Sequence, residues 1–210
     1  MTNIFLLALA LFISLWLRPW RMLMQSELLT PLLACLVLLP WVWALPNLHQ
    51  MPLQLQWSGA PMVTLILGWP LAVLTLTGLG VLTCLISNLA LIDCVDMVVW
   101  QGLLPASFTL LLGAALRRWV AHHPFVYVLG RGFFGSVVCI FAAHLLGQLT
   151  GHQLPHVGTS LSLVGFWLMA WGDAFITGMV CAIFVALRPQ WLATWSDDLY
   201  LKQPPPDPQG

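Results

Sequence analysis

One carboxylate, Asp173, stands in a run of 27 residues, Leu161 to Leu187, that carries no other charge. At 1.5 Å per residue such a run makes a helix roughly 40 Å long, more than the ~30 Å hydrocarbon core of a bilayer. It reads as a transmembrane helix that stops at Arg188-Pro189. A carboxylate at that depth costs on the order of 2.5–3.5 kcal/mol on insertion scales, so Asp173 has to face protein or water. Two roles are open to it: a polar group inside a functional cavity, or an acceptor for nearby backbone. A second ionisable group, Arg131, lies about 9 Å into its own span, where a long stem can reach back to the membrane surface. Asp173 stands roughly 20 Å from that surface, which makes a direct pair awkward. His144, in the outer part of the neighbouring span, is the other candidate partner.

The remaining polar residues carry weaker signals. His152 and His156 are four apart, as two metal ligands on one helical face would be, but Pro155 between them favours a solvated loop. His122-His123-Pro124 reads as an interfacial turn, and Asp93 with Asp96 as a wet loop or an outer mouth. Gly130-Arg131-Gly132-Phe133-Phe134-Gly135 fits G-x-G-x-x-G, yet it sits in an apolar span with no strand before it and no acidic residue about 20 positions on. Close helix packing through small residues is the better reading. No Ser/His/Asp order, phosphate loop or H-E-x-x-H motif is present, so no enzyme and no resident cofactor is expected.

The elements that must hold these residues follow from composition. The chain is 60% hydrophobic and 7% charged, against roughly 25% charged in soluble domains, which makes it a polytopic membrane protein. With seven Lys+Arg against seven Asp+Glu, no basic surface argues for nucleic acid. The five cysteines are scattered through apolar runs without C-x-x-C spacing and read as small buried hydrophobes. Spans are expected at Ile4 to Leu17, Leu28 to Leu45, Pro61 to Ile86, Met97 to Leu116, Phe125 to Leu149 and Leu161 to Leu187. Trp16, Trp20, Trp41, Trp43, Trp191 and Trp195 near their ends suggest an interfacial belt. Basic residues cluster at Arg18/Arg21, Arg117/Arg118 and Arg188 with Lys202, and all three clusters belong on the cytoplasmic side. That requires three crossings between the Asn47 loop and Arg117, giving seven spans (alternatively six by hydropathy), with the N-terminus outside and the C-terminus inside. Leu53 to Ser87 is too short for two full crossings, so a broken or re-entrant, protein-enclosed element is expected near Gly59 to Pro70. Residues 1–195 form one all-α bundle; 196–210 form a polar, disordered cytoplasmic tail. His49, Gln56, Asp93, Asp96, His152 and His156 then fall outside.

Three stretches, Ser58 to Leu71 (SGAPMVTLILGWPL), Phe125 to Gly135 (FVYVLGRGFFG) and Trp171 to Leu192 (WGDAFITGMVCAIFVALRPQWL) running on to Asp197-Asp198-Leu199-Tyr200, resemble the CbiM/NikM substrate-capture subunits of energy-coupling factor transporters for cobalt and nickel. The likeness begins near residue 55 and is most specific at the C-terminal end. It implies a bundle of six or seven helices in the bacterial cytoplasmic membrane, working with a transmembrane coupling protein and cytoplasmic ATPase subunits, with bound nickel or cobalt as cargo. Asp173 corresponds to an acidic position of that family, usually Glu. Members that capture these metals begin Met-His and use a loop histidine as well, a nitrogen set suited to square-planar Ni(II). This chain begins Met1-Thr2-Asn3 and has Gln56 at the loop position, so the family's ligand set does not carry over. His49, Gln56, His152 and His156 are the remaining candidate metal contacts, and a scaffold that keeps the bundle without the metal site is the alternative to a transport component.

Overall fold

The structure, a computed structural model, describes residues 2–25, 27–48, 57–120, 123–151 and 159–200. Among these the chain is helical, with no strand. The helices are α1 (Thr2–Trp16), α2 (Trp20–Gln25), α3 (Leu29–Leu48), α4 (Ala60–Leu67), α5 (Trp69–Ser87), α6 (Leu91–Met97), α7 (Leu104–Trp119), α8 (Gly135–Leu149), α9 (Thr159–Leu187) and α10 (Asp197–Tyr200). Two stretches of π-helix join this series: Val98–Leu103 fuses α6 to α7 in one rod, Leu91–Trp119, and Val126–Phe134 leads into α8 as the rod Val126–Leu149. Five helical rods are long and apolar enough to cross a membrane, beginning at Leu29, Trp69, Leu91, Val126 and Leu161. The outward faces of α1, α3 and α9 carry Phe5, Phe12, Leu38, Leu168 and Phe175 exposed, a surface that suits lipid and not water. Hydroxyls inside the bundle, among them Thr64, Thr75, Thr83, Thr109 and Ser136, bond back to the carbonyl four residues earlier, which removes their donors from an apolar surrounding.

The Pro61 to Ile86 stretch is two helices. Proline in the first turn of each is tolerated because those N–H groups have no helical partner. Gly68 divides them, with φ 76° and ψ 156°, a conformation that only glycine adopts without strain. All eight residues of α4 are buried, and at about 12 Å it is far shorter than a bilayer core. Ser14 Oγ donates to Pro70 O at 2.6 Å, and Trp69 Nε1 donates to Ser107 Oγ at 3.2 Å, so α1 and α7 brace the start of α5.

Contacts sort the loops onto two ends. Arg117 Nη2 donates to Thr194 O (2.7 Å), Thr194 Oγ1 to Leu65 O (2.8 Å), and the Ala193 amide to Ile66 O (2.8 Å), while Gly68 lies against Met22 and Ala193. The end of α4, the α1–α3 connection, the end of α7 and the chain after α9 therefore share one end, which holds Arg18, Arg21, Arg117, Arg118 and Arg188. At the other end Asn3 Nδ2 donates to Asp96 Oδ1 at 2.7 Å, and Asn88 closes α5 in the left-handed conformation.

Two expectations need correction here. Asp93 and Asp96 are helical rather than in a loop, because the α6 rod starts at Leu91 and is tied back to α1 and α5. Cys84 and Cys94 form a disulfide between α5 and α6; ten residues apart across a helical turn, they give no local spacing signal. Cys35, Cys139 and Cys181 are the small buried groups expected.

Tight crossing of α5 and the first π stretch depends on Gly80, where any Cβ would collide with Val98. Val98 is β-branched and has little rotamer freedom to yield. Gly80→Ala is expected to destabilise the bundle by about 1–3 kcal/mol, read as a lowered unfolding midpoint in detergent; an unchanged midpoint would contradict this crossing.

Candidate functional site

Asp173 lies in α9 at 1% exposure, against the three residues that precede α4. Its Oδ2 accepts the backbone N–H groups of Ser58 (2.9 Å) and Gly59 (3.0 Å). Gly59, at φ 63°, supplies the left-handed step that turns both amides toward one oxygen, the arrangement of an anion-binding nest. The carboxylate also sits at the positive end of the α4 dipole. Thr177 Oγ1 approaches Oδ1 at 3.4 Å, and the buried indole N–H of Trp57 lies beside the same carboxylate without a hydrogen bond of regular geometry.

Other helices complete the arrangement. Gln101, in the first π stretch, donates Nε2 to Trp57 O (3.0 Å), and its backbone carbonyl accepts the Ser58 hydroxyl. Ser58 Oγ in turn accepts the Ala60 amide (3.2 Å). Trp43 of α3, at 1% exposure, donates Nε1 to Ser58 O (3.0 Å). Trp43 is thus an internal hydrogen-bond donor rather than part of an interfacial belt, whereas Trp16, Trp20 and Trp41 are exposed. The polar backbone of Trp57–Gly59 is held by side chains from α3, α9 and the Leu91–Trp119 rod. Beside it, between α3, α4 and α9, runs an apolar groove of about 390 Å³ walled by Leu38, Met62, Ile66, Val180 and Phe184 and reaching Trp57.

The structure separates the ionisable candidates. Arg131 is 5% exposed and lies over the Tyr127 ring, with its guanidinium carbon 5.8 Å from the ring centre. It does not snorkel to the surface, because Gly113 of α7 leaves it room inside. His144 stacks on Phe166 of α9 at 4.5 Å, and among the described residues its buried Nε2 has no hydrogen-bond partner, nor has Ser162 Oγ one turn away from Phe166. Among the described residues no ion pair joins Asp173 to Arg131 or His144. Gly132 packs against Cys181 and Gly178 of α9, which gives the glycine-rich motif its role in helix contact. His49, Gln56, His122, His152 and His156 lie outside the described residues. Among the described residues no three His, Cys, Asp or Glu side chains are grouped to hold a metal ion. Sequence reasoning missed Gln101 and Ser58; an uncharged amide inside an apolar span was the available signal. No protein-family model, curated protein or solved structure matches the chain significantly.

The geometry separates two substitutions. Asp173→Asn keeps an acceptor oxygen for both amides but loses the charge assistance, and is expected to cost about 1–2 kcal/mol. Asp173→Leu strands both buried amides and should cost about 3–5 kcal/mol. Thermal unfolding of the purified variants measures the difference; equal midpoints would show that Asp173 does not hold the Trp57–Gly59 backbone.

Proposed function

We propose that this chain is the membrane subunit of an uptake system of the energy-coupling factor type in the bacterial cytoplasmic membrane, with a divalent transition metal such as nickel or cobalt as its solute class. The observation that carries the reading is the irregular backbone at Trp57–Gly59, buried about 20 Å from the basic end of the bundle and followed by the short helix α4. Non-helical backbone at membrane depth is tolerated where it is enclosed by protein or lines a cavity, and discontinuous helices recur where membrane proteins bind what they carry. The resemblance to the CbiM/NikM subunits supplies the system and the solute class. In this reading Asp173 is a positioning residue. Its carboxylate fixes the backbone of Ser58 and Gly59, two and three positions after Gln56, which stands in the sequence where the resemblance places the family's loop histidine.

Orientation follows the same reading. The arginine-rich end is cytoplasmic by the positive-inside rule. The Cys84–Cys94 disulfide lies at the opposite end, where an oxidising periplasm would form and keep it. Six helical rods, α1 among them, and the half-length α4 then make up the seven segments, with α4 as the re-entrant one.

A second reading, a scaffold that keeps the bundle without transport, is favoured by the engagement of groups a solute would need. The Asp173 carboxylate is occupied by backbone amides, and Asn3, next to the position of the family's histidine, is bonded to Asp96.

Unfolding of the detergent-purified chain against Ni²⁺, Co²⁺, Zn²⁺ and chelator decides between them, because a ligand that binds only the folded state stabilises it by RT ln(1 + [L]/Kd). Uptake predicts a midpoint several degrees higher with one metal, enhanced in Gln56→His. No shift with any metal, in a chain that gains one in Gln56→His, selects the scaffold. The topology predicts that a cysteine at Asn47 reacts with an impermeant thiol reagent from the periplasm and that one at Ser196 does not; the reverse pattern would overturn the orientation.

A further inference from the structure

Arg18, Arg21, Arg117, Arg118 and Arg188 are exposed; Arg131 is not, and its Nε and Nη1 are buried with no hydrogen-bond partner among the described residues. A guanidinium stays charged in proteins, and a buried cation with unmet donors is a costly arrangement unless an anion or acceptor meets it. Its place is set by backbone: the guanidinium occupies the volume that a side chain at Gly113 would fill, and the Tyr127 ring lies beneath it. Next to it, at the arginine-rich end, is a cavity of about 10 Å³ lined by Gly113, Leu116, Arg117, Tyr127, Arg131 and Tyr200. That is space for about one water, and a halide, somewhat larger than a water, fits there with a small outward movement of the exposed Arg117 side chain. Two guanidinium groups border it, and none of its described lining residues is a carboxylate. Tyr200 hydrogen-bonds to the Arg131 guanidinium, which leaves Nε and Nη1 as the unmet donors; the hydroxyl of Tyr127 is engaged with Thr194 Oγ1 at 2.7 Å, and Asp197 Oδ1 accepts the Trp195 indole.

We propose that Arg131 and Arg117 form a binding site for one small inorganic anion of halide size, entered from the arginine-rich end of the bundle. The anion supplies the acceptor that Nε and Nη1 lack and offsets the repulsion between the two guanidinium groups. It also closes a contact between elements distant in sequence. Arg117 holds the chain after α9 through Thr194, and Tyr200 of α10 packs edge-on to Tyr127 and stacked on Trp195. Occupancy therefore ties the C-terminal segment to α7 and the second π stretch. The site stands whichever solute the chain handles.

The test is the unfolding midpoint of the full chain in detergent as sodium chloride replaces sodium gluconate at constant ionic strength, gluconate being too large for the cavity. The wild type is expected to gain about 3 °C or more, saturating with chloride. Arg131→Met should abolish the dependence, and Asp198→Asn should leave it intact. Gly113→Ala, which pushes the guanidinium from its place, should weaken the chloride response severalfold and covers the case in which Arg131→Met fails to fold. Equal midpoints in the two salts, a response that survives both Arg131→Met and Gly113→Ala, or one that appears only in Asp198→Asn would overturn the proposal, the last by making Asp198 the counter-ion.

Discussion

The two bonds from the amides of Ser58 and Gly59 to Asp173 are the interaction on which the rest of the bundle depends. Backbone outside a helix has no partner of its own, and an apolar surrounding offers none. Hydrogen bonds to a charged acceptor are worth about 1.5–3 kcal/mol each, so two of them match or exceed the 2.5–3.5 kcal/mol insertion cost of the carboxylate. Each side of the contact makes the other affordable. Neither a buried aspartate alone nor an irregular loop alone would be stable there, and together they fix the start of α4 against α9.

The same logic explains why both π stretches carry polar side chains. A π turn widens the helix by one residue and alters which side chains face inward. In the first stretch this sets Gln101 where its amide and its own carbonyl both reach the Trp57–Gly59 backbone. In the second it sets Arg131 between two glycines of its own helix and against Gly113 of α7. These irregular turns are also where the small residues sit: Gly102 packs on Trp43 and Leu76, and Gly132 on Cys181. Close approach of the rods and inward placement of a polar group thus come from the same local departure from α-helix.

What the sequence made legible was what hydropathy and length can carry: an all-helical chain with several helices long and apolar enough to cross a membrane, the break at Gly68, the singularity of Asp173, and the small-residue packing of Gly130 to Gly135. The part it did not disclose depends on three-dimensional proximity. Ser58 is 115 positions from Asp173 and 43 from Gln101, and no periodicity links them. Trp43 has the composition of an interfacial tryptophan, and only its indole bond to Ser58 reveals it as internal. Cys84 and Cys94 looked like isolated buried thiols because the turn at Asn88 that brings them together leaves no cysteine motif. For Arg131, snorkelling was inferred from stem length when the deciding fact was the absence of a side chain at Gly113, on another helix.

The two buried charges are compensated in opposite ways, and that contrast locates where a ligand is needed. Asp173 is met by two amides, the α4 dipole and, at longer range, Thr177, so its negative charge asks nothing further of a solute. A cation arriving at that depth would have to displace backbone amides and leave them unsatisfied, at a cost of about 1–3 kcal/mol each. Asp173 thus acts on the Trp57–Gly59 backbone as a structural acceptor rather than as a free ligand group. Arg131 is compensated only in part: Tyr200 hydrogen-bonds to it and the Tyr127 ring lies against it, while its Nε and Nη1 have no partner among the described residues, at the arginine-rich end of the bundle. An occupant of one polarity at each end would engage different helices, with α9 common to both through Asp173 and through the Gly132 contact at Cys181.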